Sequence, residues 1–315
     1  MAQPTSTYAT NDMVGIREDL SNVIRNISPV EVPFYSSVKH GTANATYVEW
    51  QEDALEAAGA NAVIEGDDAT TDASTASTRL GNYTQISDKV ARVTGTARKV
   101  NTAGRSDELD YQMLKRAKEL KRDIETSIMD NKARVAGNDT LARQTAGVPV
   151  WIVTNIDDDS GATAATGDGT DAHSDGTQRA FTEDQLKGVL KLCFDNGGDP
   201  GVLMLGAFNR QRASSFSAGR SVIQKADDET LHASFSVYES DFGMLKIIPD
   251  RFMEARSALC LQMDTWELAF IPGRNMLTVD LAKTGDSDAR QILSEYAVKC
   301  LARKANGAVY DLTTS

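Results

Sequence analysis

RVTGTARKVNTAGRSDELDYQMLKRAKELKRDIE, residues 92–125, joins a strand-like run to the strongest helix signal in the chain. Ser106 is the expected N-cap, and the two acidic residues after it suit the positive end of the helix dipole. The apolar residues that follow have three- and four-residue spacing: Leu109, Met113, Ala117, Leu120, Ile124 and Ile128. With Gly137 as the stop, the pattern predicts a helix over 106–136, on the order of 45 Å long.

Upstream of this helix, two strand-like runs enclose a stretch that cannot build a core. TYVEW, residues 46–50, and NYTQISDKVARVTGTARKV, residues 82–100, are rich in β-branched and aromatic residues. Between them, EGDDATTDASTAS, residues 65–77, has four acids, no base and nothing more apolar than alanine. Val90 and Val93 fall on opposite faces of a two-residue period, so we expect a bulge or break there. The run predicts a long two-stranded finger that becomes ordered only against another surface.

The N-terminal part of the chain is predicted to form an arm. A short amphipathic helix should end near Asn26, because the residue before Pro29 is pushed toward extended geometry. The apolar residues Val32, Phe34 and Tyr35 then follow in extended chain with few local partners. Such an arm needs another surface to lie on.

Beyond the long helix, the pattern is that of a compact body. GVPVWIVTN predicts a strand that ends near Asn155, and residues 157–178 have the composition of an exposed loop. Thr182 and Gln185 form a capping box. The helix that follows presents one apolar face: Leu186, Val189, Leu190 and Cys193. DNGGDPG closes this helix, VLMLG predicts a buried strand, and AFNRQRASSFS predicts a short helix.

From residue 234 onward the pattern predicts mostly strands. The pair Asn306-Gly307 lies between two alternating runs and favours a tight primed hairpin turn. Trp50, Trp151 and Trp266 each lie within a strand-like run, so we interpret them as packing anchors.

The composition limits the classes of function. The chain has 315 residues and a formal net charge of -12, with 45 acids against 33 bases, which argues against a protein that grips phosphates over a broad surface. The cysteines and histidines are scattered, which indicates neither a disulfide framework nor a zinc site: Cys193, Cys260, Cys300, His40, His173 and His232. The sequence shows no export signal and no apolar run of about 18 residues, so we expect a reducing, aqueous compartment.

Candidate catalytic and ligand-binding features are weak. TGDGTDAHSDG, residues 166–176, places Asp168, Asp171 and Asp175 in a glycine-rich loop, but the spacing fits no calcium-binding pattern. DNGGDPGVLMLG is not a phosphate-binding loop. His232, Ser234 and Asp241 lack the local signature of a nucleophile. We therefore assign no catalytic, cofactor-binding or metal-binding residue.

The charged run KRAKELKRD of the long helix, which includes Lys115, Lys118 and Arg122, has acids between its bases. This interleaving favours a solvated helix face, with a minor contribution toward packaged nucleic acid as the alternative.

The order of these elements resembles the major capsid proteins of tailed bacteriophages with the Hong Kong 97-type fold. The resemblance lies in TYATNDMVGIREDLSNVIRNISPVEVPFYSS (residues 7–37), in VEWQEDAL (residues 48–55) and in the stretch 92–125, and it covers essentially the whole chain. It implies an α+β fold with a particular division of the chain. This division is an N-terminal arm at 1–45, an extended β-hairpin loop at 46–101, a peripheral domain with its spine helix at 102–156, an exposed loop at 157–179, an axial domain at 180–285, and peripheral return strands at 286–315.

The function that the resemblance implies is structural, not enzymatic. Such a subunit self-assembles through pentamers and hexamers into the icosahedral head, and it encloses double-stranded DNA without sequence-specific binding. Arm, finger and spine helix of adjacent subunits would interlock. The implied partners are copies of the chain, portal and scaffolding proteins, and a decoration protein, with no membrane and no cofactor. Because the arm stands at the start of the sequence, we expect the scaffold to be a separate protein. The implied location is the virion, after assembly in the host cytoplasm.

Two alternatives stay open from the sequence. An encapsulin-like nanocompartment shell would share the fold but enclose a cargo enzyme. An α/β hydrolase-like enzyme with an inserted finger would need a pocket with a positioned nucleophile. A surface adhesin is disfavoured by the missing export signal.

Overall fold

The computed structural model describes residues 31–56, 58–68, 76–100, 107–216 and 237–315. Within these ranges the α-helices are α1 (Pro33–Ser37), α2 (Gly95–Lys99), α3 (Glu108–Met129), α4 (Glu183–Asp195) and α5 (Ala207–Ala213). The strands are β1 (Lys39–Thr42), β2 (Tyr47–Glu52), β3 (Thr78–Tyr83), β4 (Gln85–Thr94), β5 (Asn155–Asp157), β6 (Val202–Leu205), β7 (Val237–Ser240), β8 (Gly243–Pro249), β9 (Ala258–Leu261), β10 (Trp266–Phe270), β11 (Leu277–Asp280), β12 (Ser287–Cys300) and β13 (Gly307–Val309). The predicted amphipathic helix before Asn26, the Ser106 cap, His232 and Ser234 lie outside the described residues.

A five-stranded sheet is built around the long strand β12. Its order is β1-β10-β12-β11, and β4 pairs with β12 on the other side. The β4 register is continuous over ten pairs, from Ser287 opposite Thr94 to Tyr296 opposite Gln85. Helix α3 packs against this sheet, with Leu120, Ile124 and Ile128 fully buried. The apolar stripe predicted for the long helix is therefore its core-facing side.

A six-stranded sheet forms the second part of the body, in the order β5-β13-β9-β6-β8-β7. Helix α4 packs on β5 and β13 with the four apolar residues predicted for its buried face, Leu186, Val189, Leu190 and Cys193. The capping box is confirmed, because Gln185 N–H donates to the Thr182 hydroxyl and the Gln185 side chain accepts from Thr182 N–H. The predicted strand VLMLG and the short helix after it are also confirmed, as β6 and α5.

Replacing Thr182 with alanine is expected to lower the free energy of unfolding by about 1 kcal/mol, because the N-cap oxygen is lost. Thr182→Ser keeps a hydroxyl and serves as the matched control, with a smaller expected loss. Urea unfolding of both variants measures the difference. Equal losses in the two variants would mean that the cap contributes nothing.

The segment after residue 30 is not extended chain without partners, as the sequence predicted. Its residues Phe34 and Tyr35 lie in helix α1 and are buried against the subunit's own core. The Phe34 ring meets Trp266 edge-on at 6.1 Å between centroids, and Tyr35 meets Phe270 at 6.3 Å. Pro33 suits the first turn of a helix, which explains why the chain coils here.

The long helix is shorter than predicted. Asp107 is its N-cap, and the helix ends at Met129 instead of continuing to residue 136. Its 22 residues span about 33 Å instead of about 45 Å. The helix stops because the backbone is extended at Asp130, and the Ile128 carbonyl accepts from Val148 N–H at 2.7 Å.

The finger is also shorter than predicted. Among the described residues, the strand β2 pairs only with β3. The strand is interrupted at Thr84, and β4 then continues into the five-stranded sheet. No bulge separates Val90 from Val93, since β4 is regular and simply leaves Val90 exposed while Val93 is buried. Residues Gly95–Lys99 form helix α2 instead of strand.

Two further predictions are wrong. The run GVPVWIVTN contains a single 3-10 turn at Pro149–Trp151, and a strand begins at Asn155 instead of ending there.

The Asn306-Gly307 pair is not a hairpin turn, because the strands on either side of it belong to different sheets. The Asn306 side chain instead accepts from the Trp266 indole N–H at 2.8 Å and from Gln262 N–H at 2.9 Å. Gly307 packs so closely on α4 that a Cβ would lie 2.8 Å from the Cys193 sulfur.

Strand membership differs from the division of the chain that the resemblance implied. β10 and β11, assigned to the axial domain, pair with β12. β13, assigned to the peripheral return, pairs with β5 and β9 of the six-stranded sheet.

The loop over residues 157–179 lacks regular structure beyond the end of β5, but it is not a free excursion. His173 is buried and stacks on Tyr310, with ring centroids 4.1 Å apart. Gly176 N–H donates to the Asp311 carboxylate at 2.6 Å. The loop therefore packs on the body.

The three tryptophans are buried packing residues, as predicted. Within the part of the chain that the structure describes, none of the helices has the length and apolar character needed to span a lipid bilayer.

Candidate functional site

The β2–β3 hairpin carries an apolar tip that its own subunit leaves uncovered. Leu55 is 99% exposed, Val63 is 81% exposed and Ile64 is 79% exposed. The tip segment, residues 53–68, also contains five acidic residues and no basic one. Single exposed apolar side chains are normal on a protein surface, but three of them on one unsupported loop indicate a contact surface.

The base of the hairpin packs firmly on the body. Trp50 on β2 lies directly opposite Leu80 on β3, and both residues are buried. The centroids of the Trp50 and Trp151 rings are 5.2 Å apart. At the end of β2, Glu52 accepts from the Arg303 N–H at 2.9 Å and from the Arg303 side chain at 2.7 Å. The tip therefore starts from an anchored pair of strands.

One close contact depends on a glycine. A Cβ on Gly81 would lie 2.5 Å from the Tyr47 ring, whose centroid is 4.6 Å from that of the Tyr83 ring, with the two rings tilted by 47°. The Arg134 side chain donates to the Gly81 carbonyl and lies over the Tyr47 ring at 5.3 Å. The absence of a side chain at position 81 lets the aromatic pair close over the hairpin.

Asn82 connects the hairpin to the five-stranded sheet. Its side chain is fully buried and donates to the Val298 carbonyl at 2.8 Å and to the Thr145 hydroxyl at 2.9 Å. Its carbonyl oxygen accepts from Ala146 N–H at 2.9 Å. The Asn82 side chain thus gives the Val298 carbonyl of β12 a partner beyond the last residue of β12 that pairs with β4, and the Thr145 hydroxyl accepts from Val298 N–H.

Glu295 of β12 forms a second anchor at the break in the chain. Glu295 is 4% exposed, and its carboxylate accepts from the Thr84 hydroxyl at 3.0 Å. It pairs with Arg143 at 2.6 Å and with Arg274 at 2.7 Å. A buried carboxylate needs such partners on both oxygens to offset its desolvation. We call Asn82, Thr84, Arg143, Thr145 and Glu295 together the hairpin socket.

The solvent side of α3 is the second exposed surface of interest. Lys115, Lys118 and Lys121 are exposed along it, and Leu114 is 65% exposed beside them. The predicted internal pairing of this face is confirmed in part, since Arg116 pairs with Glu119 at 2.5 Å within the helix, whereas Asp123 pairs with Lys89 of β4 at 2.5 Å. The face is mainly basic and partly apolar.

The acidic loop residues do not converge on one point. Asp168 accepts from the hydroxyls of Thr166 and Thr170, Asp171 accepts from that of Thr166, and Asp175 instead pairs with Arg256 at 2.7 Å. Hydrogen bonds from these hydroxyls and from the Thr170 N–H hold the pKa of Asp168 below its ordinary value despite partial burial. Among the described residues, no group of three His, Cys, Asp or Glu side chains is arranged to hold a metal ion.

The other candidates have structural roles. The glycines of DNGGDPG end α4, with Gly197 in the left-handed region at φ 81°. The three cysteines are free and buried, and burial raises the pKa of Cys193 to about 12.

The sequence interpretation missed the most informative residues. The tip Val63 and Ile64 are two adjacent β-branched residues in a run of alanine, glycine and acids, and this was a usable signal. Asn82 and Glu295 gave no local signal, because their partners lie far away in the sequence.

The chain is similar to known phage proteins. A family model described as SU10 major capsid protein matches residues 3–313. The major capsid protein of Escherichia phage Phieco32 is 38% identical over 145 residues, which are 46% of this chain and 40% of that relative. The match thus spans about two fifths of the relative's length.

Solved structures agree with the fold. A chain of Gordonia phage Cozz has a TM-score of 0.62 at 10% identity, covering 99% of this chain and 98% of that chain. A chain of the capsid of a native GTA particle also has a TM-score of 0.62 at 10% identity, with 96% and 98% covered. The predicted α+β capsid fold of the Hong Kong 97 type is confirmed. Since the family model covers nearly every residue, the chain belongs to the SU10 major capsid protein family.

Proposed function

We propose that this chain self-assembles through pentamers and hexamers into an icosahedral head that encloses the phage genome. The observation that carries the proposal is the uncovered tip with Leu55, Val63 and Ile64. In an isolated subunit these side chains remain in water, whereas contacts repeated around a closed shell would bury them in every copy.

The tip of one copy would lie on α3 of a neighbour. The tip is acidic and apolar, and the solvent side of α3 offers three lysines around Leu114. Complementary charge sets which surfaces meet, and apolar burial supplies most of the binding free energy. The socket would fix the direction in which the tip points.

The domain names are part of the same proposal. The five-stranded sheet with α3 would be the peripheral domain and the six-stranded sheet the axial domain. This grouping follows strand pairing and so moves β10 and β11 into the peripheral domain and β13 into the axial one.

The partners and location follow from the proposed role. The head would enclose double-stranded DNA without reading its sequence, and a net charge of -12 would keep the wall from holding the packaged DNA tightly. Portal, scaffolding and decoration proteins are proposed partners, with assembly in the host cytoplasm and a final place in the virion. The role is structural, and we propose no catalytic activity.

Size-exclusion chromatography and negative-stain electron microscopy of the purified chain test the proposal. We expect closed shells, or rings of five and six subunits, alone or when a scaffolding protein is co-expressed. A uniform monomer under both conditions contradicts the proposal. Particles that hold a protein cargo in place of DNA would favour the nanocompartment alternative.

A further inference from the structure

Glu125 is a buried acid that holds the root of the N-terminal segment. It lies on the core side of α3 and is fully buried. Its two carboxyl oxygens accept from Phe34 N–H at 2.7 Å and from Tyr35 N–H at 2.8 Å. These N–H groups belong to the first turn of α1, whose N-cap Val32 provides no side-chain hydrogen bond. Glu125 therefore caps α1 from about ninety positions away in the sequence.

A second buried acid touches this cap. Asp250 follows β8 and is 2% exposed. Its Oδ1 accepts from Phe252 N–H at 2.9 Å, while its Oδ2 is buried without a hydrogen-bond donor among the described residues. The two carboxyl groups interact directly with each other. Two adjacent buried carboxylates repel each other, which favours a single proton shared between Glu125 and Asp250.

Within the described ranges, neither carboxyl group forms an ion pair with a lysine or an arginine. The titratable side chains on the elements that meet at the pair are Tyr35 of α1, Lys121 and Arg122 of α3, and Arg251 and Glu254 of the segment after β8. The Lys121 ammonium lies 5.9 Å from the centroid of the Tyr35 ring, and the Arg122 guanidinium lies 5.8 Å from that of Phe252. Burial, and next the charge of Asp250, raise the pKa of Glu125 to about 8. Burial also raises the pKa of Asp250 and of Glu254.

We propose that the Glu125–Asp250 pair is a proton-dependent clamp that ties the root of the N-terminal segment to α3 and to the segment after β8. With the proton in place, one carboxyl group donates to the other and both amides of α1 are satisfied. When the proton leaves, two buried negative charges face each other and α1 separates. This inference does not depend on the proposed shell, since it concerns a single subunit.

The direction of the pH dependence follows from linkage. The folded pKa of Glu125 is raised above the unfolded value of 4.5, so the clamp is fully closed below about pH 4.5 and is lost as pH rises through about 8. Between these limits the opening equilibrium changes by up to about tenfold per pH unit.

Hydrogen exchange of the full chain, followed by mass spectrometry from pH 5.5 to 8.5, tests the clamp. The reporter is a peptide that contains Phe34 and Tyr35, corrected for the intrinsic pH dependence of exchange. In the wild type we expect protection of this peptide to fall by up to about tenfold per pH unit. In Asp250→Asn the side-chain amide donates to Glu125 and the second charge is gone, so protection should fall less steeply with pH than in the wild type, with the remaining slope due to the burial of Glu125. Asp123→Asn, which changes an exposed carboxylate of the same helix, should keep the wild-type slope.

Two results would overturn the proposal. One is wild-type protection that stays constant across this range, a measurement that needs no variant. The other is an Asp250→Asn slope equal to that of the wild type. Glu125→Gln provides a second neutral variant in case Asp250→Asn does not fold, and it should also show a shallower slope than the wild type, at lower protection because one acceptor is lost.

Discussion

Replacing Asn82 with alanine is expected to lower the free energy of unfolding by about 3–5 kcal/mol. The change leaves the Ala146 N–H and the Val298 carbonyl without partners in a fully buried site, and each such group costs about 1–3 kcal/mol. The small cavity left by the side chain adds to the loss. Urea unfolding measures the effect, and the linear dependence of the free energy on urea gives its size.

The matched control for this prediction is Asn138→Ala. The Asn138 side chain also accepts several hydrogen bonds, from the Thr140 and Leu141 N–H groups, but in an exposed loop. Water can replace its hydrogen bonds, so we expect a loss below about 1 kcal/mol. Equal losses in the two variants would show that the hairpin socket does not anchor the hairpin strongly.

The sequence predicted a helix well where residues close together in the sequence determine both the helix and the face that it buries. The apolar stripe of α3 and the capping box of α4 are examples, because both depend on residues within one or two turns of each other. The end of α3 could not be predicted from Gly137. The helix stops earlier since residues near Val148 return to bond with its last turn, and the sequence of the helix carries no trace of that contact.

Strand partners were harder to predict than strands. The run through residues 82–100 alternates as one strand, but β3 pairs with β2 while β4 pairs with β12 about two hundred positions away. At the interruption between β3 and β4, the Thr84 hydroxyl donates to the Glu295 carboxylate on β12, which is more than two hundred positions away. At the Asn306-Gly307 pair the local sequence favours a turn, but the two residues do not form one. The Asn306 side chain instead accepts two hydrogen bonds from residues distant in the sequence.

The candidate site was predicted in outline only. The composition of 65–77 indicated a segment that needs an outside surface, and residues 65–68 of it lie at the tip. The apolar contact residues Leu55, Val63 and Ile64 come before residue 65, so the composition of 65–77 could not indicate them. The socket residues come together only in the folded subunit, because Asn82 bonds with residues 63 and 216 positions away.

Replacing Leu55, Val63 and Ile64 together with serine is expected to abolish shell assembly while leaving the subunit folded. Burying each side chain against a neighbour would contribute about 1.5 kcal/mol or more. Loss of all three would weaken each contact by roughly a thousandfold. Because these side chains are 79–99% exposed in the subunit, its unfolding transition should not change. Sedimentation and negative-stain microscopy measure assembly, and urea unfolding measures stability.

A control and a reciprocal change make this prediction specific to the tip and to α3. Leu141→Ser alters an apolar residue outside the hairpin that is 51% exposed, and shells should form normally. Leu114→Ser alters the receiving surface on α3 and should reduce assembly by roughly tenfold, since one apolar contact is lost. Normal shells from the triple variant would contradict the proposed role of the tip. Normal shells from Leu114→Ser alone would leave the tip in contact with a neighbour but would remove α3 as the surface that receives it.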